Sequence, residues 1–247
     1  MRGIETLLLA AGRSSRAVSA TGGRSKLLLD VGGVTVLERN LRWLARSGIT
    51  SVWINLHYRP DDIKAVVGDG ARLGMAVRYK YEPELLGTAG AYRALAGSRT
   101  GTALVMCGDN VASFDLRRLL ERHRNSGAVA TIAVFDPTRN ANSGVAGGRV
   151  AEEAGRVTGF IEGAGVGPEW SMVNAGVYAL EPAALQHIPM RSAPDFGRDV
   201  FPSLLAAGAH VAACSIEPEG YCFGLDTPES LERTLAAFRT GRRKDTA

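Results

Sequence analysis

The segment from residue 7 to residue 29, LLLAAGRSSRAVSATGGRSKLLL, constrains the fold more than any other part of this sequence. An apolar run ends in a loop of small and basic residues: Gly12, Arg13, Ser14, Ser15 and Arg16. A buried strand that ends in a Gly/Ser turn presents unpaired backbone N–H groups, which form a concavity for anions. Arg16 and Lys26 add two positive charges at the same end of the sheet. The segment therefore predicts a polyphosphate-binding loop.

The composition is that of an ordinary globular protein. The chain has 247 residues, of which 45% are hydrophobic and 22% charged, and this length suits one α/β domain. No stretch approaches the roughly 18 to 20 apolar residues of a membrane span. The first apolar run is followed by arginines instead of a small-residue cleavage site, so no signal peptide is expected. Three cysteines without metal spacing predict reduced thiols in a cytoplasmic protein.

The charge pattern argues against a nucleic-acid partner. The net charge is +4, but the basic residues are dispersed, and their one dense cluster lies at positions 239–244. Aromatic residues do not alternate with arginines as they do in a base-stacking platform. We expect no nucleic-acid or membrane partner and a disordered tail over residues 241–247. The sequence leaves a homo-oligomer open.

Strand-like and helix-like segments alternate through the first half of the chain. Apolar runs predict strands at 4–10, 51–56, 75–81, 102–107 and 129–135. Helical spacing of apolar residues predicts helices at 34–46, 60–67, 88–96 and 116–123. This alternation predicts an α/β fold, a Rossmann-like and mostly parallel sheet with helices on both faces.

The pattern of predicted strands and helices changes after Pro137. Residues 156–162 and 172–180 are predicted to be strands of a hairpin-like insertion, and helices follow at 199–207 and 228–238 around a strand at 210–216. No linker or repeat interrupts the chain, so we expect one domain over 1–240 with a small β lobe at about 137–195. The loop after the first strand, the segment 82–90 and Gly108-Asp109 all follow strands. They are expected to meet at the ligand-binding edge of the sheet.

The loop after the first strand also resembles a known family. Sugar nucleotidyltransferases (nucleoside-diphosphate-sugar pyrophosphorylases) begin with a pattern close to L-A-A-G-x-G-T-R-L-x-P-L-T-x-x-x-P-K. Gly12, Arg16 and Lys26 align with its Gly, Arg and Lys without a gap. Four serines depart from the pattern: Ser14 for Gly, Ser15 for Thr, and Ser19 and Ser25 for Pro. About six motifs resemble the family in the same order from Leu7 to Leu235.

A second motif concerns the base of the nucleotide substrate that the resemblance implies. The segment from Leu86 to Gly90, L-G-T-A-G, resembles the family's base-binding segment, which is often G-T-A-G in guanylyltransferases for mannose and heptose phosphates. Thymidylyl enzymes tend to have G-L-A-Q-A there, so GTP is favoured. By itself the motif is more often a helix-capping turn. The resemblance implies a set of nucleotide-binding residues: Leu9, Ala11, Gly12, Arg13, Ser14, Ser15, Glu82, Gly87, Thr88 and Gly108.

A third motif bears on a metal. The segment Met106-Cys107-Gly108-Asp109 places a carboxylate after an apolar strand, and Mg²⁺ binds nucleotides through one or two carboxylates and phosphate oxygens. Asp109 is therefore the first candidate ligand of Mg²⁺. Relatives carry a second metal-binding Asp where this chain has Gly224. Asp226, two residues on, shares the strand face of residue 224 and is either a substitute ligand or the N-cap of the next helix.

The predicted lobe contains motifs that resemble the family's sugar-binding segments. Glu162 and Asn174 fall on residues that meet sugar hydroxyls, and Gly144 falls on a glycine whose backbone faces the sugar. Asn174 has a second interpretation as a strand-end turn. The family's phosphate-binding Lys is Gly163 here, so we expect Arg198 to hold the sugar phosphate instead. Arg156 and Arg139 are weaker candidates, and an ordinary surface role for Arg198 stays open. The wider pocket would then suit a heptose, octose or cyclitol phosphate.

The resemblance implies nucleotidyl transfer from an NTP to a sugar 1-phosphate. Arg16 would hold the leaving phosphates, Lys26 would bridge the α-phosphate and the incoming phosphate, and Asp109 would carry Mg²⁺. Two alternatives stay open: a non-catalytic nucleotide- or sugar-sensing domain of the same fold, and a thymidylyl- or uridylyltransferase for a hexose 1-phosphate. A dinucleotide-dependent oxidoreductase is disfavoured because no G-x-G-x-x-G follows the first strand.

Overall fold

A computed structural model describes residues 4–12, 23, 25–97, 100–144, 147–163 and 167–239. In chain order, the strands are β1 (Glu5–Leu9), β2 (Ser51–Leu56), β3 (Ala76–Tyr81), β4 (Ala103–Cys107), β5 (Val111–Ser113), β6 (Ala130–Phe135), β7 (Ala141–Asn142), β8 (Arg149–Glu153), β9 (Arg156–Ile161), β10 (Met172–Leu180), β11 (Val211–Ser215) and β12 (Tyr221–Phe223). The α-helices are α1 (Val36–Arg46), α2 (Pro60–Val67), α3 (Thr88–Ala96), α4 (Leu116–Ser126), α5 (Phe201–Ala206) and α6 (Pro228–Arg239).

The described strands form one large mixed sheet and one small sheet. The large sheet has nine strands in the order β3-β2-β1-β4-β10-β6-β11-β9-β8. Its β3-β2-β1-β4 part is parallel, as is the β6–β11 pair, whereas β10 runs antiparallel to both β4 and β6. The small sheet has the order β5-β12-β7. The predicted α/β class is confirmed, with a sheet that is parallel mainly in its first half.

Helices cover both faces of the large sheet. Successive side chains along a strand point to opposite faces, so each strand contributes apolar side chains to both layers. On one face, Leu8 belongs to an apolar cluster with Leu41 of α1. On the other face, Leu7 belongs to a second cluster with Tyr92 of α3 and Phe201 of α5. A third cluster lies under the small sheet and includes β12 and α6. No helix in the described ranges is long and apolar enough to cross a membrane.

Strand β10 is the largest difference from the sequence-based expectation. Residues 172–180 were expected in a hairpin-like insertion, and that expectation is wrong. The strand lies in the middle of the large sheet, and the last eight of its nine residues are buried. A continuous apolar run needs cover on both faces, and only a central position provides it.

The second half of the chain also holds smaller differences. The helix expected at 199–207 begins as a π-helical turn over Phe196–Val200 and becomes α-helical only at Phe201. Strands β8 and β9 of the expected lobe extend the large sheet next to β11. The single domain stays a prediction, and its expected tail at 241–247 lies outside the described residues.

Candidate functional site

A cavity of about 310 Å³ lies beyond the C-terminal ends of β1, β2 and β4. Its lining comes from separate parts of the chain and includes Gly12, Lys26, Asn55, Glu82, Thr88 and Asp109. This is the edge at which ligands bind in open α/β sheets. The structure thus brings together Gly12 at the end of β1, the segment before α3 and the turn after β4, as the sequence predicts.

Lys26 lies between two carboxylates at this cavity. Its Nζ is 2.6 Å from Asp109 Oδ2 and 2.7 Å from Asp226 Oδ1. The side chain of Lys26 is only 11% exposed. Burial alone would lower the pKa of Lys26, but the charges and hydrogen bonds of both aspartates outweigh it and raise the pKa above the ordinary value. Lys26 is therefore fully cationic at neutral pH.

Asp109 is positioned by a tight turn after β4. The N–H of Gly108 donates to Leu9 O at 2.9 Å. A Cβ at position 108 would lie 2.6 Å from that same oxygen, so the close approach of the two strand ends requires glycine. From α1, the buried Asn40 donates through Nδ2 to the carbonyls of Gly108 and Asn110 at 3.1 and 2.8 Å. The turn that carries the carboxylate is held from two sides.

Asp226 reaches the site through a backbone clamp on Gly224. Ser143 Oγ accepts a hydrogen bond from the N–H of Gly224 at 2.6 Å, and Thr234 Oγ1 donates to the carbonyl of Gly224 at 2.8 Å. The alternative role of Asp226 as a helix N-cap is not what the structure shows. Thr227 Oγ1 accepts from the N–H of Ser230 at 3.1 Å, which is the capping bond of α6.

Glu82 lies inside an internal network. It is 2% exposed. Its Oε1 accepts from Asn55 Nδ2 at 2.9 Å, and its Oε2 accepts from the N–H of Leu86 at 3.1 Å. Asn55 Oδ1 in turn accepts from the N–H of Ala10 at 2.8 Å. Glu82 and Asn55 thus tie the loop after β1 to the segment before α3, and both line the cavity.

The segment Gly87-Thr88 is held by residues far along the chain. The N–H groups of Ala89 and Gly90 donate to Pro194 O at 3.1 and 3.4 Å, so the first turn of α3 is already satisfied. Thr88 Oγ1 donates to Asp195 Oδ2 at 2.8 Å. Gly87 has a φ of +74°, and a Cβ there would collide with the backbone of residues 193 and 194. Thr88 is therefore a link between two segments, and Gly87 is required by space as well as conformation.

Asn174 and Gly144 are two of the predicted sugar-binding residues, and each makes its own local hydrogen bonds. Asn174 lies inside β10 at an irregularity of the pairing with β6, not in a strand-end turn. Its Oδ1 accepts from the N–H of Gly176 at 2.9 Å, and its Nδ2 donates to Tyr178 Oη at 2.8 Å. Gly144 has a φ of +72°, and its N–H donates to Asn142 Oδ1 at 2.8 Å.

Glu162 and Arg198 lie near each other beside the π-helical turn. The Glu162 carboxylate rests so close to Gly197 that a Cβ there would overlap it. Partial desolvation, with the nearby Asp195 carboxylate, raises the pKa of Glu162, and the Arg198 charge opposes this shift. The structure thus brings two of the predicted sugar-binding side chains together.

Four predicted site residues lie outside the described residues: Arg13, Ser14, Ser15 and Arg16. The three predicted residues just before them line the cavity: Leu9, Ala11 and Gly12. Cys107 also lines it, and burial raises the pKa of its thiol far above the ordinary value, so this group is not an activated nucleophile.

Sequence reasoning missed several residues that shape this site: Asn40, Asn55, Ser143 and Asp195. Asn55 alone carried a signal, since it is a polar residue near the end of an otherwise apolar strand. Across the described ranges, no group of three or more His, Cys, Asp or Glu side chains is arranged to hold a metal ion. The two aspartates at Lys26 are therefore a pair of carboxylates, not a complete metal cage.

The chain is similar to known proteins over most of its length. A family model described as Nucleotidyl transferase matches residues 5–220. A mannose-1-phosphate guanylyltransferase of Mycobacterium tuberculosis is 32% identical over 242 residues, which cover 96% of this chain and 65% of that protein. A UTP–glucose-1-phosphate uridylyltransferase of Synechocystis is 27% identical over 229 residues, which cover 87% and 59%. The chain thus spans less than two thirds of the length of these curated relatives.

Solved structures show the same fold. HddC from Yersinia pseudotuberculosis, in complex with GMP-PN, superposes with a TM-score of 0.77 and 20% sequence identity. The superposition covers 95% of this chain and 99% of that one. The mixed sheet and its helices are therefore a known architecture over nearly the whole chain.

Proposed function

This chain belongs to the nucleotidyl transferase family, and on that premise we propose that it converts a sugar 1-phosphate and a nucleoside triphosphate to a nucleoside-diphosphate sugar and pyrophosphate. The observation that carries the proposal is the Lys26 ammonium between Asp109 and Asp226, with Lys26 and Asp109 lining a cavity at the ligand-binding edge of the sheet. This arrangement offers one cation and a carboxylate pair, which suit phosphate oxygens and a divalent metal.

The proposed reaction needs positioning and charge neutralisation instead of a covalent nucleophile. An oxygen of the sugar phosphate attacks the α-phosphorus in line, and pyrophosphate leaves. Lys26 donates hydrogen bonds to the α-phosphate and the incoming phosphate, and Arg16 holds the leaving group. Asn55 accepts a hydrogen bond from Ala10, just after β1, and is itself held by Glu82. The protonated thiol of Cys107 agrees with a mechanism that needs no protein nucleophile.

The donor chemistry of the site fits Mg²⁺. Asp109 Oδ2 and Asp226 Oδ1 both contact Lys26 Nζ, so these oxygens can be no farther apart than the sum of the two distances, about 5.3 Å. Carboxylate oxygens are preferred ligands of Mg²⁺, which takes its remaining ligands from water and phosphate. When bound, Mg²⁺ would neutralise charge on the phosphates. Asp109 and Asp226 would hold it. Asp226 would replace the metal-binding aspartate that relatives carry at the position of Gly224.

The proposed setting follows from the substrates and the thiols. The nucleoside triphosphate and the sugar phosphate are the partners that the family implies. The free thiols of Cys107, Cys214 and Cys222 support a reducing compartment such as the cytoplasm.

The experiment that tests the function is a substrate matrix. Each of ATP, CTP, GTP, UTP and dTTP is incubated with a panel of hexose, heptose and cyclitol phosphates, and pyrophosphate release is measured with Mg²⁺ present. We expect release with at least one pair and none without the sugar phosphate. Nucleotide binding without turnover for every pair would favour a non-catalytic sensing domain instead.

We expect GTP to give the highest kcat/KM in this matrix. The expectation is supported by the G-T-A-G form of residues 87–90 and by the similarity to a mannose-1-phosphate guanylyltransferase. Steady-state rates at a fixed concentration of the best sugar phosphate decide it. A tenfold advantage of dTTP or UTP would contradict the guanine preference and support the thymidylyl or uridylyl alternative, which the Synechocystis relative represents.

We further propose that Arg198 binds the sugar phosphate. Gly163 has a φ of +94°, a conformation that a lysine would adopt only with strain, so the positive charge must come from another position. Arg198 is exposed beside Glu162, and its charge acts on that carboxylate. No atom of the described residues lies within 4 Å of a Cβ at Gly163, so a longer sugar or a cyclitol would meet no obstacle from them at this position.

Arg198→Ala is expected to raise KM for the sugar phosphate about tenfold, since a charge-assisted hydrogen bond of roughly 1.5 kcal/mol is lost. KM for the triphosphate should not change. The matched control is Arg191→Ala. Arg191 pairs with Asp199, which follows Arg198 on the π-helical turn. Equal effects on both Michaelis constants, or glucose 1-phosphate as the best acceptor, would contradict this role.

A further inference from the structure

Lys26 cannot stay paired with Asp109 and Asp226 while these two aspartates hold a metal ion. Lys26 Nζ lies 2.6 Å from Asp109 Oδ2 and 2.7 Å from Asp226 Oδ1, so the ammonium uses oxygens that a metal ion needs. A divalent cation on those oxygens would stand a few ångströms from the ammonium. Two cations at that separation repel strongly, most of all where the lysine is shielded from water. One of them has to leave.

We infer that the Lys26 ammonium competes with a divalent cation for the Asp109–Asp226 pair, and that the triphosphate resolves the competition by giving Lys26 a new anionic partner. The inference rests on the proposed function. It assigns Lys26 a second role: the ammonium occupies the two carboxylates and keeps the affinity of the site for a metal ion low until a nucleotide is bound. Metal and nucleotide then bind cooperatively, because each makes room for the other.

The surroundings of the three side chains support an exchange. The side chain of Lys26 is 11% exposed, whereas those of Asp109 and Asp226 are 37% and 28% exposed, so a metal ion can reach the carboxylates from solvent. Asp109 stands on a turn held by Gly108 and Asn40, so its position does not depend on Lys26. Lys26 has a long, flexible side chain that can turn toward a phosphate without moving the backbone.

Metal affinity without nucleotide tests the inference. Binding of Mn²⁺ to the protein alone is measured by the electron paramagnetic resonance signal of the free ion. Lys26→Met removes the charge but keeps the length of the side chain, and we expect it to bind Mn²⁺ at least tenfold more tightly than the parent. Lys26→Arg keeps the charge and should show no such gain. Lys64→Met, which removes an exposed lysine paired only loosely with Asp61, is the matched control for net charge.

A second measurement adds a non-hydrolysable GTP analogue. In the parent, the analogue should raise Mn²⁺ affinity by a larger factor than in Lys26→Met, where no competition has to be relieved. Lys26→Gln serves as the neutral variant should Lys26→Met not fold, as judged by circular dichroism. Equal Mn²⁺ affinity of the parent and the neutral variant would overturn the inference, even if turnover depends on Lys26. Tighter Mn²⁺ binding in a protein that turns over no substrate pair would instead uphold the competition and reject the proposed reaction.

Discussion

Lys26→Ala is expected to lower kcat by a hundredfold or more. Removing one preorganised donor to the charge that develops in a transition state costs on the order of 3 kcal/mol. Lys26 is buried, and its raised pKa keeps it cationic through neutral pH. Single-turnover and steady-state rates with the best substrate pair measure the loss. Arg16→Ala is expected to cost a similar factor, since it would act on the leaving phosphates.

The control for this prediction must separate chemistry from folding. Lys26→Ala leaves two carboxylates close together, so some loss of stability is expected as well. Thermal unfolding of each variant, and the activity of Lys64→Ala as an exposed counterpart, show whether the loss is specific. Near-normal rates in folded Lys26→Ala and Arg16→Ala would rule out the phosphate-binding loop.

Asp109→Asn is expected to abolish detectable turnover, whereas Asp226→Asn is expected to reduce it by a factor of ten to a hundred, in the range of a few kcal/mol that a polar contact to a charged group supplies. Asp109 is held on a rigid turn at the end of β4, in the position that the family resemblance assigns to the metal. The measurement is activity as a function of Mg²⁺ concentration. Asp226→Asn should need more Mg²⁺ than the parent, because it removes one carboxylate ligand, and Asp109→Asn should stay inactive at every Mg²⁺ concentration.

An aspartate that does not line the cavity provides the comparison for this pair. Asp62→Asn removes an acidic side chain that contacts Arg59 on α2, away from the residues that line the cavity. It should leave the Mg²⁺ dependence unchanged. If Asp226→Asn binds the Mg²⁺–nucleotide like the parent, Asp226 is not a metal ligand, and Asp109 alone carries that part.

Local sequence patterns were sufficient to predict those parts of the site that lie within one strand and the turn after it. The apolar run of β1 and that of β4 each end at a glycine, and both strands and the position of Asp109 are as predicted. Parallel strands end at the same edge, so their turns had to meet there. The sequence by itself thus determined the α/β class and the encounter of Lys26 with Asp109.

Contacts between distant segments were decided only by the tertiary structure. Asp226 meets Lys26 across 200 positions because the small sheet and the clamp on Gly224 bring it there. Thr88 bonds to Asp195 across 107 positions, and β10 lies between β4 and β6 although its neighbours in sequence suggested a hairpin. Hydrophobic periodicity records whether a residue is buried, but not which segment covers it. The choice among covering segments depends on the packing of the whole chain, and no local pattern contains it.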